Sequence, residues 1–121
     1  METIAQHQEQ LQYAEVYISD MLALKNLFLQ EQNVSKENSD FGIPFLLTKK
    51  KNKILSFASL VISEKGEIAF KIYAQKEITE SEKRNFYAKA ENYFKRNTTP
   101  NFRNPKQLES SIKSMMSWLD F

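Results

Sequence analysis

Apolar positions follow two regimes along the chain. From Ile4 to Phe28 they recur every three or four residues: Ile4, Leu11 and Ile18 form one seven-residue series, and Ala14, Met21 and Phe28 form a second, three residues on. No Gly or Pro interrupts this stretch, and Thr3 and Gln6 have capping-box spacing, so the pattern predicts one long helix over residues 1–32. After Val16 the apolar face widens to include Tyr17, Leu22, Leu24, Leu27 and Leu29, which demands cover on most sides. A helix of about 30 residues would be ~45 Å long, against a diameter near ~35 Å for a domain of this size. It must therefore break, or overhang the globule as a striped contact for a partner.

Residues 33–42 read as a polar surface linker, with the turn-rich run Asn33 to Asp40 at their centre. The period then changes to two. Phe45 to Thr48 predicts a strand entered through Pro44, Lys49 to Asn52 a turn, and Ile54 to Ile62 a second strand that is apolar or small on both faces. A turn at Gly66 leads to a third strand, Ile68 to Ala74. Its Ile68, Phe70, Ile72 and Ala74 are expected to face inward, and Ala69, Lys71 and Tyr73 outward. Residues 43–75 are thus expected to form a three-stranded antiparallel meander. Thr79 and Glu82 make a capping box for a helix to about Asn97, with Phe86, Ala90, Tyr93 and Phe94 on its apolar face. Thr98 to Asn101 breaks it. Asn104, Pro105 and Gln107 then start a last helix with Leu108, Ile112, Met115, Met116 and Leu119 buried, so residues 79–121 supply two helices. The expected fold is a single α+β domain of order α-β-β-β-α-α, with helices packed on the sheet.

Composition narrows the chemistry more than the architecture. The chain has 121 residues, 41% of them apolar and 26% charged, which suits one globular domain. There is no Cys, which excludes disulfides, thiol nucleophiles and cysteine-ligated metals. Two glycines, Gly42 and Gly66, are too few to write a glycine-rich phosphate loop. The single histidine, His7, sits in a glutamine-rich segment and reads as a surface residue. With no signal-like or membrane-spanning apolar run, a cytoplasmic protein without membrane attachment is expected. No metal or cofactor is expected either.

Charge is unevenly placed. Residues 1–40 carry 2 basic and 7 acidic side chains, residues 41–78 carry 7 and 3, and residues 79–121 carry 8 and 5. An acidic first third beside a basic remainder suggests complementary docking, within one chain or between two. The densest cluster is Lys49, Lys50, Lys51 and Lys53, a candidate anion contact whose plainer role is to keep a hairpin tip soluble. A second basic set, Lys83, Arg84, Lys89, Lys95 and Arg96, lies on the helix after the sheet. Tyr73 beside Lys71 offers the one aromatic–cation pair on a sheet face of the kind single-strand binders use.

In element order, residues 43–97 also resemble the middle of an acetyl-coenzyme A-dependent N-acetyltransferase, with Phe57-Ala58-Ser59-Leu60 as the central-strand segment. That family holds the cofactor pyrophosphate on a basic, glycine-spaced loop before the helix. Here the stretch from Gln75 to Glu82 has no glycine and carries Glu77, Glu80 and Glu82. The resemblance therefore implies at most a degenerate small-molecule pocket, with Ser56, Ala58 and Ser59 providing space.

The sequence expectation is a non-catalytic domain that binds a protein, most simply a second copy of itself. The expected contacts are Leu11, Tyr17, Ile18, Met21 and Phe28 on the first helix, with Trp118 and Phe121 at the tail. A nucleic-acid module using the lysine hairpin and the Lys83–Arg96 face is the alternative, beside the degenerate small-molecule pocket.

Overall fold

The computed structural model describes residues 10–30 and 38–121. Its elements are β1 (Gln12–Glu15), a 3-10 turn (Ile18–Asp20), α1 (Met21–Gln30), a second 3-10 turn (Asn38–Phe41), β2 (Ile43–Lys50), β3 (Lys53–Ile62), β4 (Ile68–Ala74), α2 (Glu80–Arg96), α3 (Pro100–Arg103) and α4 (Pro105–Trp118). The α+β class holds. The sheet has four strands in the order β1-β2-β3-β4, every neighbour antiparallel, rather than three.

The long first helix does not form. Residues Gln12 to Glu15 pair with Lys49 to Leu46 as an edge strand, and among the described residues α-helix begins only at Met21. Alternation explains the switch: Ala14 and Val16 pack on one side of the sheet, while Tyr13 stacks on Phe86 and Glu15 reaches Tyr93 on the other. The Asp20 carboxylate accepts the Tyr17 N–H at 2.8 Å and marks the true helical start. Thr3, Ile4 and His7 lie outside the described residues.

The meander at 43–74 matches the pattern. Its first turn is tighter than expected. Lys50 pairs with Lys53, leaving Lys51 and Asn52 as a two-residue loop, both at positive φ as a type I′ turn requires. The expected linker ends in structure. Phe41 is fully buried, and Gly42 (φ +64°) passes so close to β3 that a Cβ would lie 2.0 Å from the Leu60 carbonyl oxygen.

Both sheet faces are covered. On one, Phe45, Leu46, Ala58 and Leu60 pack against Phe86 and Ala90 of α2, Phe102 of α3, and Leu108 and Ile112 of α4. On the other, Leu47, Phe57 and Tyr73 meet Met21, Leu24, Leu27 and Phe28 of α1, with Phe41. Phe28 is the hub of this second core, edge-on to Phe41, Tyr73 and Phe121 at 5.6, 5.1 and 5.9 Å between ring centroids. Helix α4 serves both layers: Met116 packs on the first, Met115, Leu119 and the terminal Phe121 on the second.

The second core corrects the reading of β4. Tyr73 is buried, and its hydroxyl donates to the Asp40 carbonyl at 2.5 Å. It cannot serve as a stacking platform. Burial, reinforced by the Asp40 charge, raises its pKa.

Capping follows the sequence on α2, where Thr79 and Glu82 exchange two 3.0 Å bonds. On α4, the Asn104 side chain accepts from the N–H groups of Lys106 and Gln107, but the Gln107 side chain donates to Ser111 instead of closing a box. The one-turn helix α3 is an addition to the expected elements. Its Arg103 donates to the Phe94 and Lys95 carbonyls at the end of α2.

Candidate functional site

The start of α1 lies beside the last turns of α4, and between them runs a groove of about 430 Å³. Ile18, Met21, Ile43, Met115 and Trp118 give it an apolar lining, and Ser110 and Ser114 of α4 add small polar positions. None of its lining residues is charged. Its polar wall is satisfied internally, because Ser111 donates to the Asn101 side chain at 2.8 Å and accepts from Gln107 at 3.2 Å.

Two of its lining side chains, Ile18 and Trp118, stand largely in solvent, as do Tyr17 and Leu22 near Ile18 in the chain. Tyr17 is 67% exposed, Ile18 75%, Leu22 66% and Trp118 60%. Leu22 follows Ile18 by four residues and Leu29, also exposed, follows Leu22 by seven, so this apolar stripe continues along the outer side of α1. The inner side of α1 is already spent on the second core.

The structure therefore divides the sequence-predicted contact residues. Ile18 and Trp118, far apart in sequence, line one groove, and exposed Tyr17 adjoins Ile18. Met21 is 6% exposed and forms part of the floor, whereas Phe28 is fully buried. Phe121 packs against Phe28 and Phe41, so it acts as core. Leu11 is partly buried next to β1. Leu22 escapes a reading from sequence because the widened apolar stripe gives no means of telling its inner side from its outer one.

The lysine hairpin is not a free cationic tip. Lys50 pairs with Glu82 at 3.0 Å and Lys53 pairs with Glu77, which ties the β2–β3 turn to the start of α2. These contacts hold both carboxylates below their usual pKa. The Lys53 bond dominates at Glu77, and the Thr79 N–H dominates at Glu82. Lys49 and Lys51 have no ion-pair partner among the described residues. Part of the expected acid–base docking is internal, since Asp40 meets Lys71 at 3.7 Å.

The small residues of the central strand provide no space. Ser56, Ala58 and Ser59 are fully buried; Ser56 shares a 2.5 Å hydrogen bond with Thr48, and Ser59 donates to the Phe41 carbonyl. They are the packing itself, not the walls of an acyl pocket. Among the described residues no group of three or more His, Asp or Glu side chains is placed to hold a metal ion, and no helix is long and apolar enough to cross a membrane. No protein-family model, curated protein or solved structure matches this chain.

Proposed function

We propose that this protein is a small non-catalytic interaction domain that pairs with a second copy of itself through the groove between α1 and α4. The observation that carries the reading is the meeting of Ile18 and Trp118, both largely exposed, in one uncharged apolar groove, with exposed Tyr17 next to Ile18 in the chain. Isolated exposed apolar residues are ordinary, but a contiguous set beside a concavity marks a contact surface. Trp and Tyr are also the residue types that dominate binding energy at interfaces.

Two features favour a second copy as the occupant. A two-fold interface uses the same patch twice, so the patch must offer both projection and recess. Here Trp118 and Ile18 project at the edges of the groove they line. The patch must also tolerate meeting itself, and an uncharged lining brings no like charges together.

Sedimentation velocity tests the proposal on the full chain. The wild type should form a dimer that dissociates on dilution. Ile18→Asp and Trp118→Ala should each sediment as monomers, with circular dichroism unchanged because both side chains lie outside the two cores. A wild type that stays monomeric at high micromolar concentration overturns the proposal, as do variants that dimerise as well as the wild type.

A further inference from the structure

A different face carries a second site. Between β1 and the C-terminal half of α2 lies an open concavity of about 650 Å³, whose lining includes Tyr13, Lys89, Asn92, Tyr93, Arg96 and Asn97. Along α2, Asn85, Lys89, Asn92 and Arg96 follow at spacings of four, three and four, so they form one stripe. That stripe has no carboxylate. Elsewhere on the helix Lys83 pairs with Glu80 and Lys95 with Glu91, while Arg84 has no ion pair among the described residues. Neither Lys89 nor Arg96 has an ion-pair partner among the described residues.

Lys89 is instead parked on an aromatic ring. Its ammonium lies 4.7 Å from the centroid of Tyr13, while Phe86 stacks on that ring at 6.2 Å. Tyr13 is therefore a braced, solvent-reaching ring with a cation resting on it. Glu15, on the same strand as Tyr13, accepts the Tyr93 hydroxyl at 3.2 Å. Partial burial and then the Glu15 charge raise the Tyr93 pKa, so Tyr93 stays a neutral donor.

We propose that this concavity binds single-stranded nucleic acid. Lys89 and Arg96 take two backbone phosphates about three nucleotides apart, Asn92 between them and Asn97 just beyond offer amide groups, and Tyr13 stacks a base. Seven helical residues separate the two cations by ~10.5 Å along the axis, a distance that spans about three phosphates of a strand rising ~3.4 Å per nucleotide. The cation–π contact holds Lys89 over the Tyr13 ring. A phosphate is a stronger partner for the ammonium than an exposed ring, and moving Lys89 onto it uncovers Tyr13 for stacking. A single strand fits better than a duplex because the site is recessed between a strand and a helix, and because stacking needs an unpaired base. This site replaces the hairpin lysines, half of which are neutralised by Glu77 and Glu82.

Fluorescence anisotropy with a labelled 15-mer of oligo(dT), and separately of oligo(U), tests the proposal at 25 mM salt. The wild type should bind, and affinity should fall steeply with added salt. Lys89→Glu and Arg96→Glu should each weaken binding at least ~10-fold and flatten the salt slope by about one. Tyr13→Leu, which keeps an apolar contact to Phe86, should weaken binding with the salt slope retained. Lys51→Glu, on the hairpin, should change affinity less than ~3-fold. No binding by the wild type overturns the proposal, and so does equal sensitivity to Lys51→Glu and Lys89→Glu. Tighter binding to a duplex of the same length also overturns it.

Discussion

Lys25 donates to the Leu119 carbonyl at 2.6 Å, joining the middle of α1 to the end of α4 across 94 positions of sequence. The same ammonium lies 3.4 Å from the Asp120 carbonyl and 4.9 Å from the Phe121 ring centroid. One cation thus satisfies carbonyls at a helix C-terminus, complements its dipole and holds the terminal aromatic ring over the second core. Lys25→Met keeps the aliphatic stem and removes the donor. It should cost about 1 kcal/mol, read as a lower urea midpoint at constant slope. An unchanged midpoint would assign the tail's order to Phe121 packing alone.

A second buried polar contact, Tyr73 to Asp40, predicts alkaline sensitivity. The folded pKa of Tyr73 is raised, so its contribution is fully present below the unfolded value of about 10 and is lost as pH rises above it. Tyr73→Phe should cost about 1 kcal/mol at neutral pH through the lost hydrogen bond. Above pH 10 the gap between wild type and variant should shrink, because only the wild type must keep this proton. Parallel stability curves up to pH 11 would show that Tyr73 does not titrate on unfolding.

The two glycines should respond very differently to alanine. Both have positive φ, but at Gly66 an added methyl would meet nothing within 4 Å, whereas at Gly42 it would run into the Leu60 backbone. Gly66→Ala should cost about 1 kcal/mol. Gly42→Ala should cost several times more, because Phe41 or β3 must move. Thermal melts of the two variants decide the point, and equal losses would mean that the Gly42 segment is free to shift.

Sequence is a good guide to this chain where local signals agree and a poor one where distant partners compete. The meander and the starts of α2 and α4 are legible because alternation, Asn at a two-residue turn, and side-chain oxygens placed to cap all point the same way. The segment from Gln12 to Glu15 is not. Gln, Ala and Glu favour helix, and Leu11, Ala14, Ile18 and Met21 keep helical spacing, yet pairing with β2 and the stacking of Tyr13 on Phe86 outweigh weak local preference. Tyr73 misleads because Lys71, exposed on the same alternate set, suggests a wet face. The Phe28–Phe41–Phe121 cover on that face comes from three distant parts of the chain. Three lining residues of the candidate groove, Ile18, Met21 and Trp118, follow from treating unmatched apolar residues as contacts, even though Ile18 does not sit in the long helix its spacing predicts.

Glu82 supplies the acid-side counterpart to Tyr73. Its pKa is lowered by the Thr79 N–H and then by Lys50, so its contribution is present above about pH 4.5 and lost as pH falls through the lower folded value. Because the Lys50–Glu82 pair is only partly buried and still reaches solvent, Glu82→Gln should cost no more than ~1 kcal/mol at pH 7. The difference should be smaller at pH 3 than at pH 7. Urea titrations at the two pH values check it, and an equal penalty at both would point to packing rather than charge.

Trp118 is the only tryptophan in the chain and stands at the proposed self-contact, so its fluorescence reports on that surface directly. Emission and acrylamide quenching, followed from nanomolar to high micromolar protein, should show a blue shift and falling accessibility along one binding curve, which Ile18→Asp abolishes. A spectrum and quenching constant that do not change with concentration would contradict pairing through this groove.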